Sequence, residues 1–471
     1  MADELYRKSA FELAALIRAH ELKPSELMES TLARIAAVNP KINAFCALRA
    51  DLAMAEARAL DQKLARREEV GALAGLPLGV KDLEDTAGIP TTFGSVPFKD
   101  YMPEGDSAQV ARLRAAGAIV VGKTTAPEFG CTGFTRSLLF GVTRNPWNLE
   151  RTPGGSSGGS GAAIAATMVP LATGSDAGGS IRIPASYTGC FGFKPSRGRI
   201  PASPMLGLMD WTRTLAVGPL TRTVRDAAMY LDASVGYHPS DPDSLPHPGI
   251  SYLSILERFP RNLRVAFHPD LGHAIVQHDV MREVTKAAGA FKQLGCSVDV
   301  LDDNVTELGP DWMRIMATFN YACIFDRIES HRAEFGRAFL AGAESALRLG
   351  WDKFAAIERK RTALNRWCQS VFERYDLLLT PTLPSEAFGA SGPPPSEIDG
   401  KPLPDLMAAV MFTYPFNVSG HPAASVRAGM TDSGLPCGLQ IVAERHRDDL
   451  VLQAAYAYEQ ARPWNNHWPE I

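Results

Sequence analysis

Eight glycines fall within the 35 residues from Thr152 to Ser186, "TPGGSSGGSGAAIAATMVPLATGSDAGGSIRIPAS". A glycine inside a helix or strand costs roughly 0.5–1 kcal/mol relative to alanine. A fold that keeps so many therefore needs its backbone to come close to something there. Three partners are chemically reasonable: a phosphate, a dinucleotide, or a reacting carbonyl.

The nucleotide readings fit poorly. A Walker loop ends in Gly-Lys-Ser/Thr, and no such triplet follows these glycines. A dinucleotide fingerprint follows a strand, whereas "NPWNLERTP" is not strand-like, and Gly159-x-Gly161 lacks its third glycine. Acyl chemistry fits better. Gly154-x-Ser156-x-Gly158 and Gly155-x-Ser157-x-Gly159 both match the nucleophile-elbow pattern. That elbow also requires a preceding strand, an acid and a histidine. The ten histidines are scattered, and His421 in "VSGHPA", the nearest candidate, reads first as a structural residue in a turn. Further on, "SDAGGSIR" (175–182) sets two glycines before Ser180. The amides of Ala177, Gly178, Gly179 and Ser180 can converge there on one point, the arrangement that stabilises a tetrahedral oxyanion. Taken alone, this stretch also reads as a plain turn between strand and helix.

Around this segment the hydrophobic pattern alternates between helix and strand. Helical spacing runs through "SAFELAALIRA", "PSELMESTLARIAAV" (with Pro24 in a first turn) and "DLAMAEARALDQKLARREE". Strands are expected at "GALAGLPLGVKDLED" (a strand entering a loop), "AIVVGKT", "VPLATGSD", "LRVAFH", "SVDVLD", "YDLLLTPT", "PAASVRAGM" and "GLPCGLQIVA". Helices are expected at "DSAQVARLRAAG", "GAAIAATM", "DVMREVTKAAGAFKQLG", about 310–375 and "DDLVLQAAYAYEQA". Such alternation predicts an α/β fold with a large twisted mixed sheet covered on both sides by helices. Segments 237–250 and 388–402 are turn-rich loops rather than linkers, so one domain is expected over 1–471. It comprises an N-terminal helical part (1–70), a core (75–200) and the remaining sheet and covering helices (201–471).

Composition narrows the function classes. A net charge of −4 without a long basic run gives no reason to expect nucleic acid. Seven scattered cysteines without a C-x-x-C pair argue against disulfides or structural zinc, and no metal ligand set or cofactor motif is evident. With no signal-like N-terminus and no apolar run long enough for a bilayer, a cytoplasmic protein is expected. Its expected partner is a small molecule; a homodimer is compatible with this reading.

The segment "GGSSGGSGAAIAA…LATGSDAGGSIRIPASYTGCFGFKP" resembles the signature of the amidase signature family, serine hydrolases that include fatty acid amide hydrolases and bacterial amidases. The likeness extends to "LAGLPLGVKDLEDTAG", "AAGAIVVGKTTAPEFG", "GPLTRTVRDAA" and "PFNVSGHPAASV…GLPCGLQIVA", from about residue 25 to the last helix. The resemblance implies a Ser-cisSer-Lys triad: Ser180 as nucleophile, Ser156 (after a cis peptide) as relay, and Lys81 as base. It also implies an oxyanion hole from the amides of Ala177, Gly178, Gly179 and Ser180. A free lysine titrates near 10.4, so keeping one neutral at pH 7 costs roughly 4.6 kcal/mol. Full burial can supply a shift of that size. Asp82, pointing the other way along an extended chain, need not pair with Lys81.

Three supporting roles are expected. Ser157 bonds Lys81 or the relay, and Asp176 and Arg182 pair as scaffold, contact of Arg182 with substrate being the minor alternative. Gly130 and Cys131 are expected to line the substrate pocket by correspondence with the family. The apolar loop "SPMLGLMDW" supplies Met205, Leu206, Leu208, Met209 and Trp211 as further candidates, with ordinary core packing as the competing reading. A lining of this kind favours aryl or alkyl amides, anilides or carbamates. The alternative within the family is the glutaminase component of a tRNA-dependent amidotransferase. Such components usually carry a "FASSLDQ"-like stretch and a glutamine after "GGSIR", where this chain has "MLGLMDWTRTLAVGP" and Ile183. A nucleotide-binding protein without hydrolase activity ranks last.

Overall fold

The computed structural model describes residues 2–464 and 466–471. Eleven strands form one mixed sheet. In chain order they are β1 (Phe45–Leu48), β2 (Pro77–Lys81), β3 (Ile119–Thr124), β4 (Leu171–Asp176), β5 (Phe191–Lys194), β6 (Ala216–Thr221), β7 (Arg264–Phe267), β8 (Ser297–Val300), β9 (Leu377–Pro381), β10 (Ala423–Met430) and β11 (Pro436–Ala443). The spatial order is β1-β3-β2-β4-β6-β5-β10-β11-β9-β7-β8. Strands β3, β2 and β4 run parallel to one another, as do β9, β7 and β8; the joins between these blocks are antiparallel. The expected single-domain α/β architecture is thus the one observed.

Period-two alternation separates the two faces. Val120, Leu377, Leu379, Leu439 and Ile441 point into one core, packed by helices Ala10–Arg18, Val224–Ser234, His278–Gln293 and Asp448–Ala461. Ile119 and Val121 point the other way, against helices Pro24–Ile42, Ala50–Ala65 and Gly158–Ala165. Leu378 and Val442 share that opposite sense, meeting Val371 and Phe372 of helix Trp351–Phe372. Pro24 does open its helix, at the first position, where its missing N–H loses no bond.

Strands β1, β5 and β6 occur where no strand was expected. The helices expected over about 310–375 are Gly309–Ile324, Ile328–His331, Arg337–Glu344 and Trp351–Phe372, with short 3-10 turns between them. Helices Gly158–Ala165 and Arg182–Thr188 are buried along their whole lengths. They follow the two glycine-rich turns, which therefore lie inside the molecule.

Candidate active site

Parallel pairing sets the site at the carboxyl ends of β2 and β4, where open α/β sheets offer a crevice. Leu78 lies opposite Leu171 and Gly79 opposite Ala172, and the Lys81 amide donates to Thr173 Oγ1 at 3.0 Å. On β4, Thr173 and Ser175 alternate onto one side. The Lys81 amine reaches Ser175 Oγ at 2.9 Å and Ser156 Oγ at 2.8 Å.

Lys81 is wholly buried. Burial pushes its amine down to about 7, against the pull of the Glu84 and Asp176 carboxylates. Asp82 faces away, accepting from the amides of Thr92 (2.9 Å) and Gly94 (3.3 Å) and from the Thr92 hydroxyl. It does not pair with Lys81, in line with the sequence.

Ser156 sits in the first glycine turn, and the Gly155–Ser156 peptide is cis. Space explains its neighbours. A Cβ on Gly155 would stand 2.7 Å from the Phe134 nitrogen, and one on Gly130 would stand 3.0 Å from Ser156 Oγ. Gly158 and Gly159 have another reason to be glycine: side chains there would collide with Thr135 Oγ1 (2.1 Å) and Thr125 (2.4 Å) as the helix starts. Part of the glycine excess is thus helix packing rather than room for a ligand.

The second turn is clamped by the Asp176 carboxylate, which accepts from the Gly179 amide at 2.7 Å and the Ile181 amide at 3.2 Å. Arg182 bonds it through Nε (3.0 Å) and Nη2 (2.9 Å), both side chains being wholly buried. Burial alone would raise the Asp176 carboxyl, but Arg182 outweighs it and holds the group well below the usual carboxylate range. The remaining Arg182 donors reach Thr413 O (2.8 Å), Gln440 Oε1 (2.7 Å) and Asn417 Oδ1 (2.6 Å). With its donors satisfied inside the protein, Arg182 has nothing to offer a substrate.

Two expectations need correction. Ser157 Oγ donates to the Ser175 carbonyl at 3.3 Å rather than to Lys81 or Ser156. Its amide donates to the Ser180 carbonyl at 3.1 Å, stitching the two turns together. The Gly179 amide is taken by Asp176, so among the four expected oxyanion donors only those of Ala177, Gly178 and Ser180 have no protein acceptor among the described residues. Gly179 is needed for its φ of +128°, and because a Cβ there would lie 2.3 Å from Thr413 Oγ1. Ser156 is 3% exposed, whereas Ser180 and Ala177 are only partly buried. Within the site, the serine of the second turn is the accessible one.

Trp312, from a distant helix, closes over this turn. Its Nε1 donates to the Ala177 carbonyl at 3.0 Å, and a Cβ on Gly178 would meet its ring at 2.5 Å. Thr413 holds the Gly178 carbonyl at 2.7 Å. Neither residue, nor Ser175, Asn417 or Gln440, was singled out from the sequence. For Ser175 a signal existed in the strand alternation that pairs it with Thr173.

Met205 and Leu208 line a cavity of about 50 Å³ with Ser175, Glu84, Val217 and Phe319. Leu206 packs with both against an aromatic cluster around Phe93, Phe129 and Phe339. Trp211 is not in the cavity wall. It is 49% exposed, with its ring edge-on to Phe319 at 5.2 Å and its Nε1 3.3 Å from Thr318 Oγ1. Gly130 does border Ser156, and Cys131 beside it is exposed. Among the described residues no group of three or more His, Cys, Asp or Glu is placed to hold a metal, and no helix is long and apolar enough to cross a membrane.

A buried lysine touches a serine in one glycine turn, with a second, more accessible serine in the next, the arrangement that the resemblance to the amidase signature family implies. Residues 26–452 match the family described as Amidase, and the chain belongs to that family. It is an enzyme that hydrolyses carbon–nitrogen amide bonds. The chain is 37% identical to an acylamidase of Rhodococcus erythropolis, over 99% of its own length and 98% of the relative's. It is 33% identical to a glutamyl-tRNA(Gln) amidotransferase component from Cyanothece sp., over 98% and 99%. The crystal structure of a bacterial aryl acylamidase of the amidase signature family superposes with a TM-score of 0.91 at 34% identity, covering 98% of this chain and 97% of that one.

Proposed function

We propose that the protein hydrolyses acyl amides of aryl or alkyl amines through an acyl-enzyme on Ser180. The reading rests on the 2.8 Å contact of the wholly buried Lys81 amine with Ser156. A neutral amine keeps two N–H bonds and one lone pair. With Ser175 Oγ accepting an N–H, the lone pair is free to take the Ser156 proton. Ser156 then removes the proton of Ser180 as its oxygen bonds the carbonyl carbon. The amides of Ala177, Gly178 and Ser180 receive the developing oxyanion. As the C–N bond breaks, the proton returns from Lys81 through Ser156 to the leaving nitrogen. Water then attacks the ester, its proton following the same relay, and the acid departs with Ser180 restored. Likeness to an acylamidase and an aryl acylamidase supports this substrate class, as do Met205, Leu208 and Phe319 around the adjoining cavity.

The 33% identity to an amidotransferase component favours a second reading, release of ammonia from glutamine for a partner. One set of assays separates the two. The purified chain is expected to hydrolyse an acyl anilide faster than glutamine, and a fluorophosphonate to label Ser180 alone. Ser180→Ala is expected to abolish both turnover and labelling. Labelling at Ser156 or Ser157 would overturn the mechanism. Faster ammonia release from glutamine would overturn the substrate class.

A further inference from the structure

A second cleft, lined by none of Lys81, Ser156 or Ser180, has a volume of about 650 Å³ and carries an excess of positive charge. Arg197, Arg213, Arg361 and Arg445 line it with His446, against the carboxylates of Asp243 and Glu358. Asp243 pairs with Arg197 at 3.0 Å and Glu358 with Arg361 at 3.5 Å. Two guanidinium charges therefore remain without a carboxylate, on a molecule whose net charge is −4. Arg445 donates to the Ser419 carbonyl at 3.1 Å and to Asn365 Oδ1 at 3.2 Å, neutral acceptors that fix the head without cancelling its charge. Arg361 is fixed likewise by the Thr212 carbonyl at 2.9 Å. Arg213 is exposed, and among the described residues its guanidinium has neither carboxylate nor hydrogen-bond partner. The surplus is felt inward. Burial first, then Arg445, Lys194 and His446, push the His421 imidazole down to about 3. Burial, Arg213 and Arg361 lower Arg197 despite Asp243 and Asp210.

We propose that this cleft binds a small polyanion carrying phosphate or carboxylate groups. The Arg361 and Arg445 forks, oriented by neutral acceptors, with the unpaired Arg213 beside them, are suited to bidentate recognition of either group. The volume is that of a small-molecule site rather than of a groove tracking a polymer. The assignment is independent of the amide chemistry.

Calorimetric titration of the intact protein with inorganic phosphate and, separately, with citrate tests it. Saturable binding of at least one anion is expected, weaker at raised salt. Arg213→Ala is expected to weaken it about tenfold, the loss of one charge-assisted contact. Arg197→Gln, used only if its melting curve matches wild type, is expected to act in the same direction. Arg66→Ala, which breaks an exposed pair elsewhere, is expected to leave binding unchanged. Which anion binds more tightly tells phosphate from carboxylate ligands. No saturable binding of either at about 20 mM, or undiminished binding by Arg213→Ala, overturns the proposal. So does tight binding of a short RNA duplex with no binding of either anion.

Discussion

Lys81 carries two opposed demands. A buried ammonium destabilises the fold, and a neutral amine is what the proposed chemistry uses. Because the folded amine titrates near 7 and an ordinary lysine near 10.5, the unfolded chain binds more protons between those limits. Wild-type stability therefore rises with pH across that window. At pH 7 the penalty is on the order of 4 kcal/mol, more than the roughly 1 kcal/mol lost with each hydrogen bond to Ser156 and Ser175. Lys81→Met is thus expected to be inactive yet more stable than wild type at pH 7, with the advantage shrinking toward pH 10. Paired urea titrations at several pH values check this, and an advantage that grows with pH would contradict it. Wild-type kcat/KM is expected to climb as pH rises through about 7, when the amine loses its proton. Arg182 shows the converse case. Arg182→Met leaves the Asp176 carboxylate buried without its partner, which costs about 3–5 kcal/mol. A fall in the urea midpoint is expected, larger at pH 8 than at pH 4, where protonation can neutralise the stranded group.

At the scale of elements, the second turn works because Gly178 lets Trp312 lie directly on it. Its backbone requires no positive φ, so the constraint is space alone: the added carbon would meet the indole at 2.5 Å. Gly178→Ala is expected to lower kcat by about 10²–10³, the loss associated with one oxyanion donor, with little change in KM. Adding Trp312→Ala should restore part of kcat by relieving the contact. Steady-state kinetics of the single and double variants decide this; a fully active single variant would mean that the turn tolerates displacement. The same geometry shows what the sequence conveys. Strands such as "AIVVGKT" and "YDLLLTPT" are legible because they are apolar and β-branched or leucine-rich. Strand β6 is hidden because Gly218 and Pro219 stand in its middle. Yet a Cβ on Gly218 would lie 2.4 Å from the Phe193 carbonyl, so the residue that disguises the strand is the one its pairing requires. Strands β1 and β5 are four residues each and lack the valines that mark the equally short β7 and β8. Lys81, Ser156 and Ser180, the proposed triad, stand in local stretches of sequence that carry the family resemblance. Asn417 and Gln440 are not legible as site residues, since they reach Arg182 from 235 and 258 residues away.

Those distant contacts describe how the whole molecule is tied together. The core on one face takes residues from Ala10 to Trp464, so neither end closes its own interior. The Phe11 amide donates to Asp226 at 2.8 Å, and Arg34 reaches the Ala166 carbonyl at 3.1 Å and the Ile471 carbonyl at 3.5 Å. The arginine supporting the second turn draws its partners from β4, the 413–417 segment and β11. Loosening any of these blocks would therefore uncover apolar surface in the others and strand charges at the site. Unfolding is expected as one transition, with calorimetric and van't Hoff enthalpies in agreement and activity lost over the same range. Deletion of residues 1–42 is expected to abolish that transition, because it strips helices Ala10–Arg18 and Pro24–Ile42 from opposite faces of the sheet. Two separate transitions, or a truncated chain that still melts cooperatively and labels at Ser180, would show that the helical N-terminal part is an independent unit.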